Sequence, residues 1–190
     1  MLSEKELLEG CIQNNRLYQK RLYEKFSRKM FGVCMCYTHD RYEAENILQD
    51  GFIKVFEGIK NFKPTGSLEG WIRRIIVNTA IDYYRKIKKL QFTKVDLEDA
   101  ENTTQASVDP DELERMSVDE LAGMIQKLPE GSRVIFNLYV TEGYNHRQIA
   151  EILGISEGTS KSQYSRARML LQNQLKKNEN FEISRLFGSR

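Results

Sequence analysis

Apolar residues recur at three- and four-residue steps in one segment after another, which is the spacing of amphipathic helices. In the first such stretch Leu7, Leu8, Cys11 and Ile12 lead to Leu17, Leu22, Tyr23, Phe26, Met30, Phe31 and Val33, with a break at Asn14-Asn15. Thr38-His39-Asp40 marks a turn. A helix follows from Tyr42 to Ile59, with Ala44, Ile47, Leu48, Phe52, Val55 and Phe56 on its buried side. Its other side carries Glu43, Glu45, Asn46, Gln49, Asp50 and Lys54. Lys60 to Gly66 reads as a loop, and Ser67 caps a third helix running to about Lys89. There Trp71, Ile72, Ile75, Ile76, Ala80, Ile81 and Tyr84 cover a core. Arg73, Arg74, Asn78, Asp82, Arg85, Lys86, Lys88 and Lys89 are left outside.

The pattern changes character between Leu128 and Leu175, where two short helices flank a tight turn. Asn145 caps the first, and Gln148 three residues on closes a capping box. Ile149, Ala150, Ile152 and Leu153 form its apolar face until Gly154 interrupts it, a place that suits a residue with positive φ. Ser156 caps the second helix and Glu157 sits in its first turn, where negative charge suits the dipole. Ser160, Tyr164, Ala167 and Leu171 share one side of that helix. Gly158, Ser162, Ser165, Arg166 and Met169 fall on the other, with Lys161 on the flank. Small and hydroxylic residues let a helix sit deep in a major groove, and Arg and Lys reach guanine edges or phosphates. The whole predicts a helix-turn-helix.

Charge divides the chain. Its net charge is +2, yet Thr93 to Leu121 holds ten acidic residues against Lys94 and Arg115, a local charge of −8 that leaves +10 elsewhere. Thr93 to Pro110 shows no regular periodicity and reads as a flexible linker. Such a stretch either folds back on its basic neighbours or simply stays extended and soluble. The expected fold is therefore all-α, with two small helical domains joined by a flexible acidic linker, the second carrying the helix-turn-helix. The expected boundaries are 1–92, a linker over 93–111, 112–177, and a tail over 178–190.

A basic helix with interleaved aromatics and amides, beside a basic aromatic loop, is suited to single-stranded or distorted DNA. Cations neutralise phosphates, rings stack on bases and amides bond base edges. Trp71 also fits a plain core position, Tyr83 and Phe62 stand between the two roles, and Arg85 to Lys89 also suits a solvated helix end. Three cysteines give an odd count, which points to a reducing cytoplasm rather than a disulfide framework. Cys34, Cys36 and His39 do not make a metal site, because residues two apart on a helix diverge and no second cluster completes four ligands. Met1 to Gly10 is charged, unlike a signal peptide, and no run approaches the roughly 18 apolar residues of a membrane span. No Gly-rich phosphate loop, metal cluster or nucleophile-base pair suggests an enzyme or a cofactor. An autonomous regulator would share the helix-turn-helix but usually needs a dimerisation or ligand domain. A single-strand binder would account only for the N-terminal half.

Three segments resemble the extracytoplasmic-function (ECF) family of bacterial RNA polymerase sigma factors. Glu43-Ala44-Glu45-Asn46-Ile47-Leu48-Gln49-Asp50-Gly51-Phe52-Ile53-Lys54-Val55-Phe56 is similar to that family's polymerase-docking segment. Gly70-Trp71-Ile72-Arg73-Arg74-Ile75 through Asn78-Thr79-Ala80-Ile81-Asp82-Tyr83-Tyr84-Arg85 resembles its melting and −10-reading helix. Leu128-Pro129, Arg133-Val134-Ile135-Phe136, Gln148-Ile149-Ala150-Glu151 and Ser156-Glu157-Gly158-Thr159 resemble its −35-reading domain. Ser160 stands where the family more often has Val, and Tyr164 where it often has Leu. A hydroxyl on that core face predicts a bond from Ser160 to a backbone carbonyl one turn back, with Tyr164 filling the space.

The resemblance implies a non-enzymatic, cytoplasmic factor without cofactor or metal, whose partners are core RNA polymerase, duplex and melted promoter DNA, and an anti-sigma factor. It assigns Thr159, Lys161, Ser162, Ser165, Arg166 and Arg168 to the −35 element. Lys60, Asn61, Phe62, Lys63, Asn78, Asp82, Tyr83, Arg85 and Lys86 go to the −10 element. Gln49, Asp50, Phe52 and Ile53 go to the polymerase clamp, and the face around Ile135, Leu138 and Tyr139 is a candidate for the flap.

Overall fold

A computed structural model of the chain describes residues 3–63, 66–91 and 118–187. Among these residues the structure is all-α apart from one 3-10 turn, and the chain divides into two units, Met1–Thr93 and Lys94–Arg190. The linker expected over 93–111 lies outside the described residues.

In the first unit, helices α1 (Glu4–Ile12), α2 (Arg16–Met35), α3 (Arg41–Gly58) and α4 (Leu68–Gln91) surround one core, with the 3-10 turn Ile59–Asn61 after α3. The break at Asn14-Asn15 has a local cause. Asn14 takes a φ of 57°, which Asn tolerates better than most side chains, and the Asn15 side chain caps α2 by accepting the Leu17 N–H at 3.0 Å. Asp40 ends the next turn in the same way, accepting the Tyr42 N–H at 2.7 Å at the start of α3. From α2, Leu22, Phe26, Met30 and Val33 point inward; from α3, Ala44, Ile47, Leu48, Phe52 and Val55 do so. Leu68, Ile72, Ile76, Val77, Ala80, Ile81 and Tyr84 of α4 close the core. Phe56 is half-buried rather than buried, and so are Trp71 and Ile75. Thr79 is buried, and it is satisfied by donating to the Ile75 carbonyl one turn back at 2.8 Å. At Gly51, α3 approaches α4 so closely that a Cβ would stand 2.4 Å from Ile76 Cδ1.

The second unit has α5 (Val118–Gln126), α6 (Glu130–Val140), α7 (His146–Leu153) and α8 (Glu157–Phe187). Its core combines Met124, Leu128, Val134, Ile135, Leu138, Ile149, Ala150, Ala167, Leu171 and Leu175. Arg133 is fully buried in that core and donates from Nη1 to the Gln126 carbonyl at 3.1 Å. The guanidinium thereby meets the C-terminal end of α5, where the helix dipole favours a cation. Ser132 of α6 donates to Gln163 Oε1 of α8 at 2.6 Å. Helix α8 continues to Phe187, past Leu175 and into the segment 178–190 expected as a tail, part of which could extend the last helix.

Gly154 ends α7 with φ 68° and ψ 37°, and nothing lies within 4 Å of where its Cβ would be. Replacing it therefore costs backbone strain alone. Gly154→Ala is expected to lower the unfolding free energy by about 1–2 kcal/mol, measured by urea denaturation of the full chain. Unchanged stability would mean the left-handed turn is not required.

Candidate nucleic-acid interface

Helices α7 and α8 are set by their caps before any tertiary contact. The Asn145 side chain accepts the Gln148 N–H at 2.9 Å, and the Gln148 side chain accepts the Asn145 N–H at 2.9 Å, so the expected capping box is present. After Gly154, the N–H of Ile155 still reaches the Ala150 carbonyl at 3.1 Å, which tightens the turn. Ser156 Oγ accepts the Thr159 N–H at 2.9 Å and starts α8. Glu157 pairs with Lys161 at 2.7 Å on the exposed first turn, and that ammonium holds the Glu157 carboxyl below the ordinary range.

One side of α8 faces the unit's interior. Ser160 and Ala167 are fully buried, and Leu171 nearly so. Tyr164 is half-buried against the rings of Tyr139 at 4.6 Å, His146 at 5.5 Å and Phe136 at 6.1 Å, filling the space the sequence reading expected it to fill. Ser160 departs from expectation. Its Oγ pairs with His146 Nδ1 at 3.0 Å rather than with a carbonyl one turn back. The reason is tertiary, since His146 lies nearly parallel on Tyr139 at 4.6 Å and its ring nitrogen falls within reach. It is Ser162 on the outer side that bonds back along the helix, to the Thr159 carbonyl at 3.1 Å. Thr159, Lys161, Ser162 and Arg168 are exposed, and Ser165 and Arg166 half-buried. The face set aside for DNA is thus polar, small and cationic, on a helix whose opposite face is anchored.

His146 is the residue that sequence reasoning missed at this site. Its place one residue after a capping Asn was visible, but nothing in the spacing revealed its partner on α8. Of the residues considered for a flap contact, Ile135 and Leu138 are core, while Tyr139 is 38% exposed but already stacked on His146.

In the first unit, Asn78, Asp82, Arg85 and Lys86 of α4 are exposed and Tyr83 is half-buried. Asp82 lies 3.5 Å from Lys54 of α3, with both groups about half exposed, so the pair contributes little to stability and leaves both charges open to a ligand. Lys60, Asn61 and Lys63 are exposed in the loop before α4, while Phe62 is half-buried against Trp71 at 5.5 Å. On α3, Gln49, Asp50 and Ile53 are exposed, Ile53 by 55%. Phe52 is not on that surface. It is 3% exposed and packs edge-on to Tyr23 at 4.7 Å, because its position in the helical repeat turns it into the core. Cys34 is buried, which pushes its thiol up to about 12, and Cys36 Sγ donates to the Gly32 carbonyl. Among the described residues no three potential ligands gather around a metal position, and no helix is long and apolar enough to cross a membrane.

The family model for Sigma-70 region 2 matches residues 22–90, and that for Sigma-70, region 4 matches residues 118–171. The chain is 30% identical over 173 residues to the RNA polymerase sigma-H factor of Pseudomonas aeruginosa, covering 87% of this chain and 90% of that protein. It is 28% identical over 186 residues to the ECF RNA polymerase sigma-E factor of Haemophilus influenzae, covering 92% and 96%. Among solved structures it resembles the sigma factor RpoE in complex with the anti-sigma factor NepR from Bartonella quintana. That match has 22% identity and a TM-score of 0.46, covering 83% of this chain and 96% of the other. With both regions present in order and a 30% identical relative matched over nearly its full length, the chain belongs to the ECF family of RNA polymerase sigma factors, which are promoter-recognition factors of transcription initiation rather than enzymes.

Proposed function

We propose that the two units divide promoter recognition between them, residues 1–92 serving the −10 element and polymerase binding, and residues 112–177 serving the −35 element. The observation that carries this reading is α8: Ser160, Ala167 and Leu171 are buried on one side, while Ser162 is exposed on the other, with Thr159, Lys161 and Arg168 exposed along the flanks. A helix held in this way can enter a major groove without unfolding anything, with half-buried Ser165 and Arg166 on the same outward side as Ser162. Cationic side chains supply salt-sensitive affinity, and contacts to base edges supply discrimination.

In the N-terminal unit, Lys60, Asn61, Phe62 and Lys63 with Asn78, Asp82, Tyr83, Arg85 and Lys86 would hold an unstacked base of the melted strand. Capture of such a base offsets the few kcal/mol lost on unstacking, so opening the duplex draws on binding energy alone. The exposed residues Gln49, Asp50 and Ile53 of α3 form the surface for the polymerase clamp, with Phe52 supporting them from below. The factor acts in the cytoplasm, and family membership implies an anti-sigma protein as a further, inhibitory partner.

Arg166→Ala is expected to weaken promoter binding that depends on the −35 element by about 1–3 kcal/mol while leaving association with core polymerase intact. Gel shifts with reconstituted holoenzyme measure the first quantity and core-binding titration the second. An equal loss in both would remove the assignment. Asp50→Ala is expected to lower core affinity by about tenfold, the effect of losing one charge-assisted contact of ~1.4 kcal/mol. If titration finds core affinity unchanged, Asp50 does not belong to the contact surface.

A further inference from the structure

The bond between His146 and Ser160 joins the first turn of α7 to the first turn of α8 at 3.0 Å, with Ser160 fully buried. Here α8 is tied to α7 by a directional contact in addition to apolar packing. Tyr139 of α6 lies parallel to the imidazole at 4.6 Å, and Tyr164 of α8 meets it edge-on at 5.5 Å, so the ring has little freedom to follow if α8 rotates. A second polar bond, Ser132 to Gln163 at 2.6 Å, ties α8 to α6 three residues further along. Rotation of α8 about its axis would break both bonds, whereas apolar contacts alone would tolerate some slippage.

We propose that His146 is a positioning residue for promoter recognition: through Ser160 it sets the rotational register of α8, and with it which side chains of that helix meet the base edges. This inference rests on α8 being the helix that reads the −35 element.

The environment also sets which form of the ring does this. Burial and the neighbouring Lys161 of α8 hold the imidazole below its ordinary protonation range, while Glu157 of α8 acts in the opposite sense. Tyr139 and Tyr164 are the other titratable groups against it, and Arg147, next on α7, is paired with Glu151 at 3.4 Å. His146 also occupies the first position of α7, where the helix dipole disfavours a cation. Because the folded protein resists protonating this ring, its contribution is complete above the unfolded value near 6.5. It is lost as pH falls through the lower folded value.

The test uses full-length protein reconstituted with core polymerase, and a duplex selected by wild-type holoenzyme from a pool randomised at the upstream element. The quantity read is the ratio of affinities for the selected duplex and for single base-pair changes in that element, in which polymerase and non-specific terms cancel. His146→Phe retains a ring for stacking but cannot bond Ser160, and Ser160→Val removes the other partner. Each is expected to reduce the ratio by about three- to tenfold, since the remaining partner is left buried without its bond and α8 is freer to turn. The double variant is expected to recover part of this loss because neither polar group is then stranded. As pH is lowered through the protonation of this ring, followed by its NMR signal, the wild-type ratio falls because the new charge stands beside Lys161 and the start of α7, and that of His146→Phe stays flat. Parallel pH profiles, or strictly additive effects of the two changes, overturn the proposal. Arg166→Ala serves as the control: if it too leaves the ratio intact, α8 does not read the element and the underlying assignment fails. If it abolishes the ratio while the His146 and Ser160 variants do nothing, only the positioning role fails.

Discussion

Burial of one side of α8 is the interaction on which the second unit depends. Ala167, Leu171 and Leu175 pack with Met124 and Leu128, and a leucine or methionine side chain contributes about 1.5–3 kcal/mol when fully buried. A unit of this size has a net stability on the order of 5 kcal/mol, so losing one or two of these contacts would consume most of it. The anchoring side and the side proposed to read DNA belong to one helix. Any change that loosens the first therefore displaces the second.

The N-terminal unit meets a different demand with the same means. Here α2, α3 and α4 share a core dense in branched aliphatics, and their outer faces are left with polar side chains of two kinds. On α3 the outward set is Gln49, Asp50 and Ile53, a mixed patch suited to a protein surface; on α4 it is Asn78, Asp82, Arg85 and Lys86, suited to a polyanion. The Lys54–Asp82 pair stands where the two faces adjoin, and its half-exposed geometry leaves it cheap to break. Gly51 lets the two helices come close enough for these faces to adjoin at all.

Much of this was legible in the chain. Caps are local: Asn145 and Ser156 each bond an N–H three residues on, so their role follows from spacing alone, whereas Asn15 and Asp40 were legible only as a break and a turn. The same holds for Gly154, whose positive φ is demanded by the turn it occupies. Phe52 shows the limit. Its motif resemblance suggested an outward contact, while its place in the helical repeat already put it among the buried residues, and the repeat was the better guide. Resemblance assigns a segment to a surface but does not say which of its side chains reach that surface.

By itself the sequence determined where the capped helices begin, which face of each is apolar, and that two basic bodies flank an acidic stretch, because these depend on neighbours within about one turn. The tertiary structure alone decided who meets whom across helices: Ser160 with His146, Ser132 with Gln163, Arg133 with the end of α5, Phe62 with Trp71. The Ser160 bond makes the reason plain. A buried hydroxyl must find a partner, but whether that partner is its own helix or an imidazole fourteen residues back depends on distances that only packing sets.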